Sequence, residues 1–435
     1  MKIVVIGTGY VGLVSSICFA KIGHQVIAVD KIVSKIDQLK NGEIPIYEPG
    51  LKEMLSEVVA LNNISFTTNL QEALIDAKAV FIAVGTPQDE DGSADLSYVL
   101  DASKEIAKYS TSSKLIVTKS TVPAKTGEKI KNLLAETNPQ IKFYVASNPE
   151  FLREGCAIDD FMQPDRIVIG YDDDQAKKIL EEIYQYFPAS KIFHTDIVTA
   201  ELIKYGSNSF LATKIAFINE LADLCENVGG NIQDLAIAMG QDTRIGEKFL
   251  NPGPGFGGSC FPKDILALLN IAKNNNANLS LIDAVVKSNN NRKNLMVKKI
   301  INILDKDVKN KKIIWLGLAF KANTDDIRYS PSIAIAKDLA KMDAQIFAHD
   351  FQAQINAKKE LSDFNNIHFI DDIWQAIANC ELMVIATEWD QYRNLDLAKI
   401  KKIAPQIKIV DLRNILDKNE LKKHGFTFDF IGNKN

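Results

Sequence analysis

The sequence predicts an α/β protein in which two doubly wound parallel sheets are joined by a central helical segment holding one long helix. Three observations predict it. An apolar run, KIVVI at 2–6, leads directly into GTGYVG at 7–12 and an apolar helical stretch. Near-continuous apolar strands then alternate with helical patterns, as strands buried on both faces do. The alternation stops for 197–303, where helical spacing dominates, and resumes at 311–317.

The first sheet starts with the strand 2–6. GTGYVG follows it and opens a helix, and a second strand, QVIAVD, ends at Asp30. This is the full dinucleotide-binding unit: Gly7 makes the tight turn, Gly9 lets the backbone approach a pyrophosphate, and Gly12 lets the helix pack on the strand. The helix N-terminus supplies donors and positive potential. Asp30 suits the ribose hydroxyls of NAD and repels the 2′-phosphate of NADP. A Rossmann-type domain over 1–196 follows. Its further strands are expected at 63–68, 79–87, 114–123 and 142–150, then 165–170 and 190–194. Ligands in such sheets lie beyond the strands' carboxyl ends, where Gly85-Thr86, Ser120-Thr121 and Asn148-Pro149-Glu150 fall. One such cluster is an ordinary turn. Three at one rim favour a site.

The segment 197–305 is expected to be helical. Its longest pattern, 197–228, keeps apolar spacing for about eight turns and is a natural homodimer surface. Lys204 and Asn208 are four apart and share a face; alone, they read equally as solvated helix residues. Further helices are expected at 231–240 and over 262–303, separated by GPGFGGSCFPKD at 253–264. There Cys260 is crowded by glycines and prolines, with Lys263 and Asp264 directly behind. A thiolate is a strong nucleophile, and a neighbouring ammonium favours it. Taken alone, the stretch also fits a surface loop with a buried thiol.

The last domain, 306–435, repeats the strand pattern at 311–317, 345–350, 366–369, 382–387 and 407–414, with a helix at 331–342. Its first turn, GLAFKANTDDIR, is not a GxGxxG and carries Lys321 and Arg328. Basic groups there suit phosphates rather than a second dinucleotide. The tail after about 428 is expected to be loose.

At 435 residues the chain suggests several domains, and 46% hydrophobic with 24% charged residues is ordinary for a globular protein. A net charge of −4 gives no sign of a nucleic-acid or membrane partner. The N-terminal apolar run is broken by glycine after five residues and lacks a small-residue cleavage site, so a cytoplasmic location is expected. Five scattered cysteines form no disulfide framework or metal-ligand spacing. Cys18, Cys225 and Cys380 read as core residues, and no metal is expected.

GTGYVG with Asp30, STVP at 120–123, NPEFLREG at 148–155, KYGSNSFLATKIAFINE, FLNPGPGFGGSCFPKD and GLAFKANTDDIRYSPS occur in this order along essentially the whole chain. Together they resemble the UDP-glucose/GDP-mannose dehydrogenase family, and within it the UDP-glucose branch. The resemblance implies NAD as cofactor and UDP-glucose as a substrate oxidised twice, through a Cys260 thiohemiacetal and thioester. It implies that Lys204 and Asn208 hold an oxyanion, Asp264 acts with a water as base, Glu150 assists proton transfer and hydrolysis, and Thr121 lies near the reacting sugar. Besides the motif glycines and Asp30, it implies cofactor contacts from Tyr10, Val11, Lys35, Gly85, Thr86 and Thr121. Glu154, Lys263 and Arg328 join these. Implied substrate contacts are Phe151, Leu152, Arg244, Phe249, Leu250 and Gly257, with Phe320 and Lys321, and more weakly Arg413. Relatives carry small alanine-like residues where this chain has Gly206 and Ser207, so a local bend that shifts Asn208 is expected.

Overall fold

The computed structural model describes residues 1–89 and 92–433. The chain divides into two compact units, one formed by Met1–Ser207 with Leu266–Asn278, the other by Asn208–Ile265 with Leu279–Asn435.

Unit one holds an eight-stranded sheet. Its strands are β1 (Lys2–Ile6), β2 (Gln25–Val29), β3 (Ile64–Thr67), β4 (Ala79–Ile82), β5 (Lys114–Thr118), β6 (Phe143–Ser147), β7 (Ile167–Tyr171) and β8 (Ile192–Thr195). They lie in the order β3-β2-β1-β4-β5-β6-β7-β8. The order reverses direction at β1, which places the ligand crevice at the carboxyl ends of β1 and β4. All pairings are parallel except β6 with β7, whose register Ala146↔Tyr171 and Ser147↔Gly170 is antiparallel. Alternation within each strand fills two cores. Ile3, Val5 and Phe81 face one layer, while Val4, Ile6 and Ile82 face the other. The strands are shorter than their apolar runs suggest: β4 ends at Ile82 and β5 at Thr118. The polar residues that follow leave the sheet and form the rim.

The helix Ile197–Val228 runs unbroken for 32 residues, so Gly206 produces no interruption. Its start is tied down within unit one by Glu201, which accepts the N–H groups of Lys125 and Gly127, both at 2.7 Å. Burial outweighs these donors and pushes the Glu201 carboxyl from 4.5 up to about 7. The folded protein therefore holds this proton more tightly than the unfolded chain. The contribution to stability is present below about pH 4.5 and is lost as pH rises through about 7, by roughly 3 kcal/mol. Melting curves from pH 4.5 to 8 should accordingly fall more steeply for the wild type than for Glu201→Gln; parallel curves would contradict this.

Unit two holds a parallel six-stranded sheet. Its strands are β9 (Lys312–Leu316), β10 (Gln345–His349), β11 (Ile367–Phe369), β12 (Leu382–Ile385), β13 (Lys408–Asp411) and β14 (Thr427–Phe430), ordered β11-β10-β9-β12-β13-β14. Ile313 and Trp315 pack on one face, Ile314 and Leu316 on the other. The C-terminal tail corrects the sequence expectation. Residues 427–430 pair with β13, and Ile431 is fully buried. The helical stretch expected over 262–303 is two helices, Phe261–Asn274 and Ser280–Ile303, split where Asn276 takes φ 56°. A run of asparagines there favours turn conformations over helix.

Candidate active site

In unit one, Gly7 takes φ 100°, and a Cβ on it would lie 2.6 Å from the Ala83 carbonyl oxygen. A Cβ on Gly12 would come within 1.9 Å of the Gly7 oxygen, so only glycine lets helix Tyr10–Lys21 start this close to β1. At Gly9 a Cβ would meet nothing within 4 Å, and no side chain caps the helix there. The helix N-terminus is thus bordered by open space, which suits a diphosphate. Asp30, just past β2, accepts the Thr8 N–H at 2.9 Å, the Thr8 hydroxyl at 2.7 Å and the Ile32 N–H at 3.0 Å. Burial pushes its carboxyl up, but these donors and the nearby Lys35 ammonium outweigh that and hold it below its usual value. An ionised Asp30 beside an uncapped glycine turn fits a bound NAD.

Along the same rim Thr86 donates to the Thr121 carbonyl at 3.0 Å, and Ser120 to that of Val84 at 2.7 Å. Gly85 is exposed between them. The turn after β6 carries Glu150, which accepts the Leu152 N–H at 2.6 Å and pairs with Lys204 at 2.9 Å. Both members of that pair are buried. The Lys204 ammonium also stands 5.5 Å from the Phe151 ring centre, and Arg166 covers the same ring at 4.0 Å.

Two unit-one residues to which the sequence assigned no role belong to this rim. Lys119 is buried and donates to Asn148 at 2.9 Å. Burial pushes its ammonium down to about 8, Glu150 opposes that shift, and Lys204 adds to it. Glu48 accepts the Tyr10 hydroxyl, the Gly155 N–H at 2.6 Å and the Ala157 N–H at 2.7 Å, binding the dinucleotide helix to the NPEFLREG turn that carries Glu154. A lysine closing an apolar strand was a readable signal for Lys119. Glu48 lies in an aperiodic segment that gave none.

In unit two, Cys260 is half-buried immediately before helix Phe261–Asn274, with the Ser259 hydroxyl 3.6 Å from its sulfur. Asp264, one turn along, is 1% exposed, accepts from Asn208 at 2.7 Å and pairs with Lys263 at 2.8 Å. The glycines of this loop fit closely against the turn after β9. A Cβ on Gly257 would fall 2.4 Å from the Tyr329 oxygen, and one on Gly258 would lie 2.8 Å from the Phe320 ring. The Gly258 N–H donates to the Arg328 carbonyl at 2.9 Å. Arg413 donates to the Phe320 carbonyl at 2.7 Å, and Lys321 lies over the Phe320 ring at 5.6 Å. The Cys260 stretch and the basic turn, which are remote in sequence, are therefore packed together.

Some expected contacts stand differently. The Leu250 side chain is buried in the core of unit two, so only its backbone is available to a ligand. Phe249 beside it takes φ 67°, with its ring 6.2 Å from that of Phe261. Arg328 is forked onto Asp326. Arg244 is 87% exposed and forked onto Asp242.

Models of one family match three stretches: its NAD binding domain at residues 1–188, its central domain at 198–291 and its UDP binding domain at 313–418. The chain belongs to the UDP-glucose/GDP-mannose dehydrogenase family. It is 48% identical to the UDP-glucose 6-dehydrogenase of Rhizobium meliloti (strain 1021), over 99% of either chain. Among solved structures it resembles a UDP-glucose dehydrogenase from the archaeon Pyrobaculum islandicum, with a TM-score of 0.91 and 37% identity, covering 98% of this chain and 96% of the other. It also resembles a UDP-D-ManNAc dehydrogenase from Pyrococcus horikoshii, with a TM-score of 0.86 and 28% identity over 99% of either chain. Within this dehydrogenase family, the glycine turn with Asp30 lies in the NAD binding part, and the basic turn with Lys321 lies in the UDP binding part.

Proposed function

We propose that the chain oxidises UDP-glucose to UDP-glucuronate, using two NAD+ and one water. The observation that carries this reading is the full-length 48% identity with a UDP-glucose 6-dehydrogenase, against 28% with a solved dehydrogenase of an N-acetylated sugar. In this reading residues 1–196 bind NAD, 197–305 supply the cysteine and the dimer surface, and 306–435 bind the UDP-sugar.

Bound NAD+ supplies the hydride acceptor. The residues do the rest. Asp264, held by Asn208 and Lys263, works through a water as base when the C6 alcohol is oxidised. The resulting aldehyde cannot yield a second hydride until a nucleophile adds. The Cys260 sulfur forms that bond to C6, and the helix behind it favours negative charge at the sulfur. The aldehyde oxygen becomes an oxyanion for which Lys204 and the second amide N–H of Asn208 are the donors. Loss of hydride from the thiohemiacetal leaves a thioester. Water attacks its carbonyl, Glu150 takes up the proton, and the Cys260 thiolate leaves. Glu150 and Lys204 lie 2.9 Å apart, near enough to exchange that proton. Thr121 contacts the sugar or its water. Tyr10, Val11, Gly85, Thr86, Glu154, Lys263 and Arg328 line the cofactor, while Phe151, Leu152, Phe249, Leu250, Gly257, Phe320 and Lys321 hold the sugar nucleotide.

A homodimer through helix Ile197–Val228 belongs to the same proposal. Phe210, Phe217 and Leu224 recur every seven residues and are 66%, 49% and 53% exposed, an apolar stripe that a second copy would cover. Among the described residues no helix is long and apolar enough to cross a membrane. A cytoplasmic enzyme without a nucleic-acid or membrane partner is the reading we adopt.

The test is kcat/KM across UDP-glucose, GDP-mannose and UDP-N-acetyl-hexosamines with NAD+. UDP-glucose should be preferred. Turnover of GDP-mannose or an N-acetylated sugar alone would overturn the substrate, and NAD+ binding without any turnover would overturn the activity.

A further inference from the structure

The loop that leads to Cys260 has no regular structure over residues 251–256, yet the backbone groups of Gly253 and Phe256 are held by side chains from two helices. The Gly253 N–H donates to Asn219 at 2.8 Å, and the Gly253 carbonyl accepts from Arg292 Nε at 3.0 Å. Asn289 grips Phe256 on both sides: its Oδ1 accepts the Phe256 N–H at 2.8 Å, and its Nδ2 donates to the Phe256 carbonyl at 3.1 Å. Asn219 comes from the long helix. Asn289 and Arg292 are three apart on helix Ser280–Ile303 and so share a face. All three are buried, at 3%, 7% and 3% exposure. Arg292 is fixed in turn by Asp223 and by the Asn219 carbonyl.

The grip leaves no slack. Gly255 takes φ 119°, and a Cβ there would lie 2.8 Å from the Asn289 oxygen, so the loop is pressed onto the amide. Only Gly257, Gly258 and Ser259 separate Phe256 from Cys260. Two of these are themselves held, Gly257 against the Tyr329 carbonyl and Gly258 by the Arg328 carbonyl. Phe256, Gly257 and Gly258 therefore form one pinned approach to the sulfur, and freeing Phe256 removes one of its anchors. A buried amide that satisfies both backbone groups of one residue is also costly to lose, since two buried backbone groups would be left without partners.

We infer that Asn289, with Asn219 and Arg292 beside it, is a positioning residue that sets the Cys260 sulfur through the 253–258 loop. This rests on the proposed role of Cys260. Asn289 acts through the loop backbone, by its two bonds to Phe256.

The test is Asn289→Leu in the full-length protein, read in two ways. Steady-state kcat with UDP-glucose should fall about 10- to 100-fold, with KM changing much less. Independently of turnover, peptide mass spectrometry after iodoacetamide treatment compares alkylation at Cys260 with that at the exposed Cys156 in the same molecules. The Cys260-to-Cys156 ratio should rise several-fold as the loop loosens. Asn289→Asp, which keeps the acceptor for the Phe256 N–H, should give intermediate values and carries the same test if the leucine variant does not fold. A folded variant with wild-type kcat and an unchanged alkylation ratio overturns the inference. Full turnover in Cys260→Ser would instead overturn the role of Cys260 on which it rests.

Discussion

Replacing Cys260 by serine should lower steady-state NADH production from UDP-glucose by at least about 10³-fold while leaving the melting temperature unchanged. The fold tolerates the swap because Cys260 is a free, half-buried cysteine just before helix Phe261–Asn274, and a hydroxyl takes the place of the thiol with little change of shape. The chemistry does not. A serine hydroxyl is far less acidic than a thiol, so little nucleophile is available to trap the aldehyde. An ester left at that position would also hydrolyse more slowly than a thioester. Intact-protein mass spectrometry after mixing with UDP-glucose and NAD+ should find a sugar-nucleotide adduct on the wild type, or a slowly released one on the variant. Undiminished NADH production by the serine enzyme would contradict the proposal.

Lys204→Met should act on both stability and rate. In the folded protein the Lys204 ammonium and the Glu150 carboxylate face each other at 2.9 Å with almost no solvent, their side chains being 4% and 5% exposed. Removing one member leaves the other charge buried and unpaired, which costs about 3–5 kcal/mol. On the proposed role of Lys204 as an oxyanion donor, its loss adds a fall in kcat of about 10²-fold or more. The two effects separate in the double variant Lys204→Met/Glu150→Gln. It should regain part of the stability, because neither Lys204 nor Glu150 is then left as an unpaired charge, and none of the activity. Chemical denaturation and kcat measured on the same preparations check this. A single variant as stable as the wild type would show that the pair contributes little.

Much of this fold was legible because buried parallel strands are written as unbroken apolar runs. KIVVI, AVFI and KLIVT became β1, β4 and β5, and the apolar period of 197–228 became one helix with those bounds. What escaped depends on partners far along the chain. The alternation of FTFDF at 426–430 is itself a strand pattern, which the expectation of a loose tail passes over, and pairing with β13 fixes it. Nothing local tells that β7 runs against β6, since direction is set by the path of the connection. The candidate site divides in the same way. The glycine turn, Asp30 and the Cys260 stretch carry their chemistry in residue type and spacing. Lys204 and Asn208 were visible only as two polar residues on one helix face. Their partners, Glu150 at 54 positions' remove and Asp264 at 56, come from folding alone. The same holds for Glu48 and Asn289, whose roles lie in which backbone groups they satisfy. Gly206 shows a local rule overridden: glycine weakens an isolated helix, yet the helix runs through it without interruption.

The most direct measurement is a count of NADH formed per UDP-glucose when the sugar nucleotide is limiting and NAD+ is in excess. Two NADH per UDP-glucose, with UDP-glucuronate as the sole sugar product, is the result a Cys260 thioester route requires. One NADH per UDP-glucose with the aldehyde released, or no NADH at all, would contradict it.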